Sequence, residues 1–250
     1  MRLFSKYIYF FGFLAIASLA VVNAAQAQPQ PALGQRFFAS PDEAVKALQA
    51  ATEAKDKAAL NEIFGPQVKE LLTGDEVQDA KNAKRFATAI EQGYMLMKDG
   101  EDKITIEVGK NNWPMPIPLV KAKGQWYFDT AEGKEEIINR HIGKDELHAI
   151  GACRAFAAAQ RQHAGTNLDM GKQPFHGYYF KILAGKGRSG LVAYPAYWDH
   201  SGIMTFIVNQ DGKVFQRNFG VKSSRIAAAI KEYNPDSKWA LVEDEGLSAS

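Results

Sequence analysis

Five histidines, one cysteine and the loop Tyr197-Trp198-Asp199-His200 hold most of the reactive chemistry in this 250-residue chain. The histidines are His141, His148, His163, His176 and His200. No H-x-x-x-H or H-E-x-x-H spacing occurs among them, so the helical pair that many zinc sites use is missing. His141 and His148 stand seven apart and share a helix face only in a helix that runs through Gly143. The periodicity reads instead as two helices, Glu132 to Ile142 and Lys144 or Asp145 to His163, so no metal is expected. Cys153 lies among Gly151, Ala152 and Ala155 in a helical pattern, where a buried, inert thiol is expected. A nucleophilic thiolate needs a base and an electropositive, partly exposed setting, and His148 is more than one helical turn away. A single cysteine also excludes an internal disulfide. Asn209-Gln210-Asp211-Gly212 reads as a tight turn, since the aspartates and the twelfth-position glutamate of a calcium loop are missing. Gly185-Lys186-Gly187-Arg188-Ser189-Gly190 reads as a hairpin connection, having no helix behind it to cradle a phosphate. Neither G-x-S-x-G nor G-x-x-x-x-G-K-[ST] occurs. No catalytic residue and no cofactor is therefore expected.

Aromatic side chains offer a different chemistry. Trp113, Phe175, Tyr178, Tyr179, Tyr194, Tyr197 and Trp198 cluster at strand ends and loops. Exposed rings of this kind stack on sugars or anchor a partner chain. Tyr197, Trp198 and His200 follow a turn-forming Pro195 and form the best candidate contact surface, together with the proline-rich strand around Trp113. His176 joins that surface if the two motifs meet in space. Two functions follow. One is a non-catalytic binding or envelope assembly-accessory protein whose partner is another envelope protein or a glycan. The alternative is a periplasmic hydrolase using His176 or His200 with Asp199 in a cleft between domains.

The elements that must position these residues begin after a leader. Arg2 and Lys6 precede an uncharged apolar run, Tyr7 to Val22, and then Ala25-Gln26-Ala27. Basic, apolar, then A-x-A is the order of a cleaved signal peptide, so cleavage is expected after Ala27 and the protein in the periplasm or secreted. Arg2 and Lys6 leave with it, so 28 basic residues face 28 acidic ones. That balance argues against nucleic-acid binding, and no second apolar run is long enough to span a bilayer.

The expected fold is α+β, divided as signal peptide 1–27, flexible leader 28–36, a first domain 37–130, a second 131–242 and a tail 243–250. In the first, Ser40-Pro41-Asp42-Glu43 opens a helix with a capping-box pattern, and Asp56 opens another. A third is read from Asp75 to Gln92, its apolar face carried by Val77, Ala80, Ala83 or Lys84, Ala87 and Ile90. Strands follow at 94–98 and 104–108, the latter alternating strictly. Asn111 to Pro118 should lie extended at an edge, since its alternate prolines cannot donate hydrogen bonds. A hairpin over 119–129 closes the sheet. In the second, an alanine-rich helix packs on strands at 178–183, 190–194, 203–209 and 213–219, and a helix at 223–233 closes the unit.

Phe38-Ala39-Ser40-Pro41-Asp42-Glu43-Ala44, Trp113 to Val120, Gly124 to Thr130, His176-Gly177-Tyr178-Tyr179-Phe180 and Gly202 to Asn209 together resemble the bacterial domain-of-unknown-function family 2950. That resemblance implies export and no established activity. The chain departs from the family in a shorter segment, Gly165 to Phe175, before His176. Residues 40–130 also resemble the cone of the nuclear-transport-factor-2-like superfamily, here with Ile, Val, Leu and Phe facing inward. Residues 145–219 resemble the globular head of type IV pilin-like proteins.

Overall fold

The computed structural model describes residues 30–71, 76–162, 173–183 and 189–243. The expected signal peptide, the first residues of the leader, His163, most of the 165–174 loop, the core of the Gly185 connection and residues 244–250 lie outside the described residues. The fold is α+β, with two antiparallel sheets and five α-helices among the described residues.

The first helices start where their caps dictate. Ser40 Oγ accepts a hydrogen bond from Glu43 N at 3.2 Å, and the Glu43 carboxylate reaches back to Ala39 N at 3.0 Å. This reciprocal pair satisfies two amide donors at the start of α1 (Pro41–Glu53). Asp56 caps α2 (Lys57–Phe64) through Ala58 N and Ala59 N. A short 3-10 turn (Pro66–Leu71) precedes α3 (Glu76–Glu91). The expected face of α3 holds at its C-terminal end, where Ile90 is buried and Ala87 half-buried, and fails near its start. Val77 is 80% exposed, while Phe86, Ala89 and Ile90 reach the core. The residues of α3 that join the first core come from its last turns, beside α1 and the sheet.

The first sheet runs β1 (Tyr94–Lys98), β2 (Lys103–Val108), β3 (Trp113–Pro114), β4 (Leu119–Ala122) and β5 (Gln125–Phe128), in the order β1-β2-β4-β5 with β3 also on β2. β3 and β4 lie along one side of β2, but their registers differ by two residues: Pro114 opposes Glu107, whereas Leu119 opposes Ile104. The extra residues fall at Pro116-Ile117-Pro118, where proline cannot supply a ladder donor. Ile104, Ile106 and Val108 alternate inward as their period predicts. With Phe38, Val45, Leu48, Ile63, Leu119 and Phe128 they fill the space between sheet and helices.

α4 (Thr130–Arg161) is a single helix of 32 residues that runs through Gly143 without a break. The expected division there is absent. Asp129 caps it through Glu132 N at 3.0 Å. Its first half lies against the end of α2, the 3-10 turn and the β3–β4 segment: Thr130 Oγ1 donates to Phe64 O at 2.7 Å, Arg140 donates to Pro114 O at 2.8 Å, and Gly133 lies against Ile117. Its second half presents Ala149, Cys153, Phe156 and Ala157 to the second sheet. Asp145 and Glu146, at the expected start of a second helix, therefore stand mid-helix, about four turns from the start of α4.

The second sheet comprises β6 (Tyr178–Leu183), β7 (Gly190–Pro195), β8 (Met204–Asn209), β9 (Phe215–Asn218) and β10 (Ala240–Leu241), in reverse sequence order. Leu191, Ala193, Phe206 and Val208 face α4, and Val192 and Ile207 face the other side. Burial on both faces explains why these strands read as continuous apolar runs. On the outer face, α5 (Ser223–Ala229) is shorter than expected from the sequence. Lys181 Nζ donates to Ala227 O and Ala228 O at 3.1 and 2.7 Å, satisfying carbonyls at its C-terminal end. Residues 230–239 continue without helix, and Ile230, Tyr233 and Trp239 pack on the sheet. No helix among the described residues is long and apolar enough to cross a membrane.

Candidate functional site

The 196–202 loop joins β7 to β8 and is held from within. Ser201 is buried, and its Oγ accepts from Tyr197 N at 3.0 Å and donates to Tyr197 O at 3.1 Å. Ser201 N also donates to Tyr197 O at 2.9 Å, and Asp199 N to Gly202 O at 3.1 Å. Asp199 turns the chain at φ +67°, a conformation that aspartate tolerates better than most residues. Behind the loop, Glu146 of α4 accepts from Ile203 N and Met204 N at 2.8 and 2.9 Å. Gly202 is required by contact: a Cβ there would fall 2.0 Å from the Tyr178 hydroxyl. That hydroxyl donates to Met204 O at 2.9 Å. Burial pushes its pKa up, and the Glu146 and Asp145 carboxylates push it further.

On this loop Tyr197 is 73% exposed. Trp198 lies beside it, its indole N–H donating to Asn218 Oδ1 at 3.1 Å. The same Asn218 oxygen accepts from Gly220 N at 2.7 Å. One side chain thus ties the loop to the turn carrying Val221, which is 80% exposed. Between them opens a groove of about 430 Å³ lined by Ala196, Tyr197, Trp198, His200, Val221 and Ser224. Three of the residues singled out from the sequence, Tyr197, Trp198 and His200, therefore share one surface. Asn218 and Val221, some 20 residues on, had no signal of their own.

Trp113 lies on the other sheet, in β3, with the Arg140 guanidinium 5.4 Å from its ring centroid. His176 is placed by a two-residue hairpin. Phe175 and Tyr178 exchange backbone hydrogen bonds of 2.8 and 3.1 Å across His176-Gly177, whose φ values are +45° and +71°. Positive φ at both central residues is the mark of a type I′ turn. Gly177 O accepts from Ala196 N at 2.8 Å, so the two motifs do meet through their backbones. The His176 ring itself stacks on His148 of α4, with centroids 4.0 Å apart. Asp145, His148 and His176 bring ligand-type atoms within 4.8 Å of one another, and His141 Nε2 lies 3.2 Å from Asp145 Oδ2. His141-x₃-Asp145-x₂-His148 is a one-face helical pattern that becomes legible only once α4 is continuous. Cys153, on the same helix, is fully buried, and burial pushes its thiol up to about 12.

No curated protein and no solved structure matches the chain. One family model does, over residues 35–173 and 165–242, two stretches that meet at the segment read as shorter than the family's. With its helices, both sheets and the groove inside that match, the chain belongs to the family of proteins of unknown function DUF2950.

Proposed function

We propose that this is an exported, non-catalytic binding protein of the cell envelope, and that the groove between the 196–202 loop and the Val221 turn docks a segment of another envelope polypeptide. The observation that carries this reading is the rigid presentation of exposed apolar groups. Tyr197 and Val221 both line the groove and stand in solvent, while Ser201, Glu146 and Asn218 fix the backbone of the segments that carry them. Preorganised aromatic anchors lose little entropy on binding. An aliphatic wall at Val221 favours a polypeptide over a glycan, because sugar recognition gains from a stacked ring but little from a valine. The leader's order of basic residues, apolar run and A-x-A supports export. The filled first core and the helix-backed second sheet suit a cone-like and a pilin-head-like unit, neither of which requires a catalytic cavity.

The hydrolase alternative draws less support. Asp199 and His200 lie exposed on the loop, and His176 stacks on His148 rather than on either of them. A protonated, fully buried Cys153 supplies no nucleophile.

The test is a crosslinking pull-down from envelope extract with the wild type and a Tyr197→Ala, Trp198→Ala variant of unchanged melting temperature. Capture of a defined polypeptide that the variant loses supports the groove. Equal capture by both refutes it, and loss of a glycan alone would reassign its occupant.

A further inference from the structure

We propose that α4 and the His176 hairpin form a binding site for a divalent transition metal of the zinc class, with Asp145, His148 and His176 as ligands and His141 supporting Asp145. The inference is separate from the groove and does not depend on it.

Asp145 is a carboxylate only 4% exposed, about four turns into α4. The free amides of the helix start cannot neutralise it at that distance. A buried carboxylate needs a counter-charge or strong donors. His141 Nε2, one turn back, lies 3.2 Å from its Oδ2 but is itself largely exposed. His148 carries a second unmet demand, since its Nδ1 is buried with no hydrogen-bond partner. Buried ring nitrogens without partners are uncommon and ask for a reason. The third component is delivered at a conformational cost: His176 occupies φ +45° to bring its ring 4.0 Å from that of His148. Two imidazolium ions that close would repel. Two neutral imidazoles with a lone pair each on a cation, and a carboxylate to balance its charge, would not.

The geometry and donor set point to one class of ion. One ligand atom from each of the three residues lies within 4.8 Å of the others. Tetrahedral zinc with bonds of about 2.1 Å sets ligand atoms about 3.4 Å apart, which small χ rotations reach. Two imidazoles and one carboxylate suit zinc and its neighbours, whereas calcium and magnesium prefer oxygen alone. Ligating carboxylates are themselves hydrogen-bonded from outside the metal's first shell, the place His141 takes beside Asp145. Gly177 completes the fit. A Cβ there would stand 2.5 Å from Asp145 Oδ2, so only glycine lets the hairpin close over the carboxylate. The exposed side of His176 leaves a coordination position open to water.

The test is titration of the chelator-stripped protein with Co²⁺, read by its visible absorption, followed by displacement with Zn²⁺. One Co²⁺ per chain, with Kd of about 1 µM or tighter, and intense tetrahedral bands are expected. His148→Ala, His176→Ala and Asp145→Asn should each weaken binding about 100-fold or more, and His141→Ala about 10-fold. Glu101→Gln, an exposed change in the β1–β2 turn, should leave Co²⁺ binding unchanged. Zn²⁺ should raise the melting temperature of the wild type and of Glu101→Gln, but not of His176→Ala, which separates lost binding from lost folding. No uptake, or uptake that all three ligand variants retain, overturns the site.

Discussion

Replacing Gly143 by alanine should stabilise the protein, because α4 passes through that position as ordinary helix. Nothing lies within 4 Å of the Cβ it would gain, and its φ is not in the left-handed region. An interior helical glycine costs about 0.8–1.0 kcal/mol relative to alanine. For a chain of this size, each kcal/mol moves the melting temperature by about 2–4 °C. Gly151, two turns further along α4 and equally unobstructed, provides an internal standard with the same expected gain. The sites are about 12 Å apart along the axis, so their effects should add to about 2 kcal/mol. Urea unfolding with chelator present, so that no metal contributes, measures all three variants. A gain at position 151 with a loss beyond about 0.5 kcal/mol at 143 would refute the continuous helix. His141 and His148 would then no longer share a face.

Gly202→Ala should have the opposite sign, costing about 3 kcal/mol by driving a methyl into Tyr178. The loss should be smaller in a Tyr178→Ala background, where ring and hydroxyl are both gone, and equal losses in the two would contradict the contact. Asn218→Ala should remove the bonds from Trp198 Nε1 and Gly220 N, costing about 1–2 kcal/mol; hydrogen exchange at the Gly220 amide should accelerate. Cys153 should resist iodoacetamide in the native state at pH 8 and react fully in denaturant. Its thiol pKa is raised to about 12 from 9.0, so the unfolded chain loses that proton first as pH rises. Stability from this group therefore holds below pH 9 and falls above it, by about 1 kcal/mol at pH 10. A Cys153→Ala variant should lack that increment in its pH profile.

Much of the architecture was legible where local chemistry decides it. Ser40 and Asp56 start helices because their side chains satisfy backbone amides two or three residues on, and the strict alternation of Ile104, Ile106 and Val108 has one half-buried solution. Gly143 misled because a glycine weakens a helix by only about 1 kcal/mol, while α4 is held on either side of it, by hydrogen bonds to Phe64 O and Pro114 O before it and by packing on the second sheet after it. On α3 the expected face was right at Ile90 and wrong at Val77, since periodicity shows which residues share a face but not which turns of it are buried. Tyr197, Trp198 and His200 were visible as an aromatic loop. The opposite wall of their groove depends on Asn218 bridging two loops, a tertiary fact with no local trace. His148 was dismissed as a partner for Cys153, and its neighbour in space is His176, delivered by a hairpin 28 residues away.

The docking groove is tested most directly by placing a photo-crosslinking amino acid at Tyr197, at Val221 and, as a control on the first sheet, at Met95, which is also exposed. After irradiation in the producing cell, adducts from 197 and 221 should map to the same short segment of one envelope polypeptide, with none from 95. Adducts spread equally over all three positions, or none from 197 and 221, would contradict a docking role for this surface.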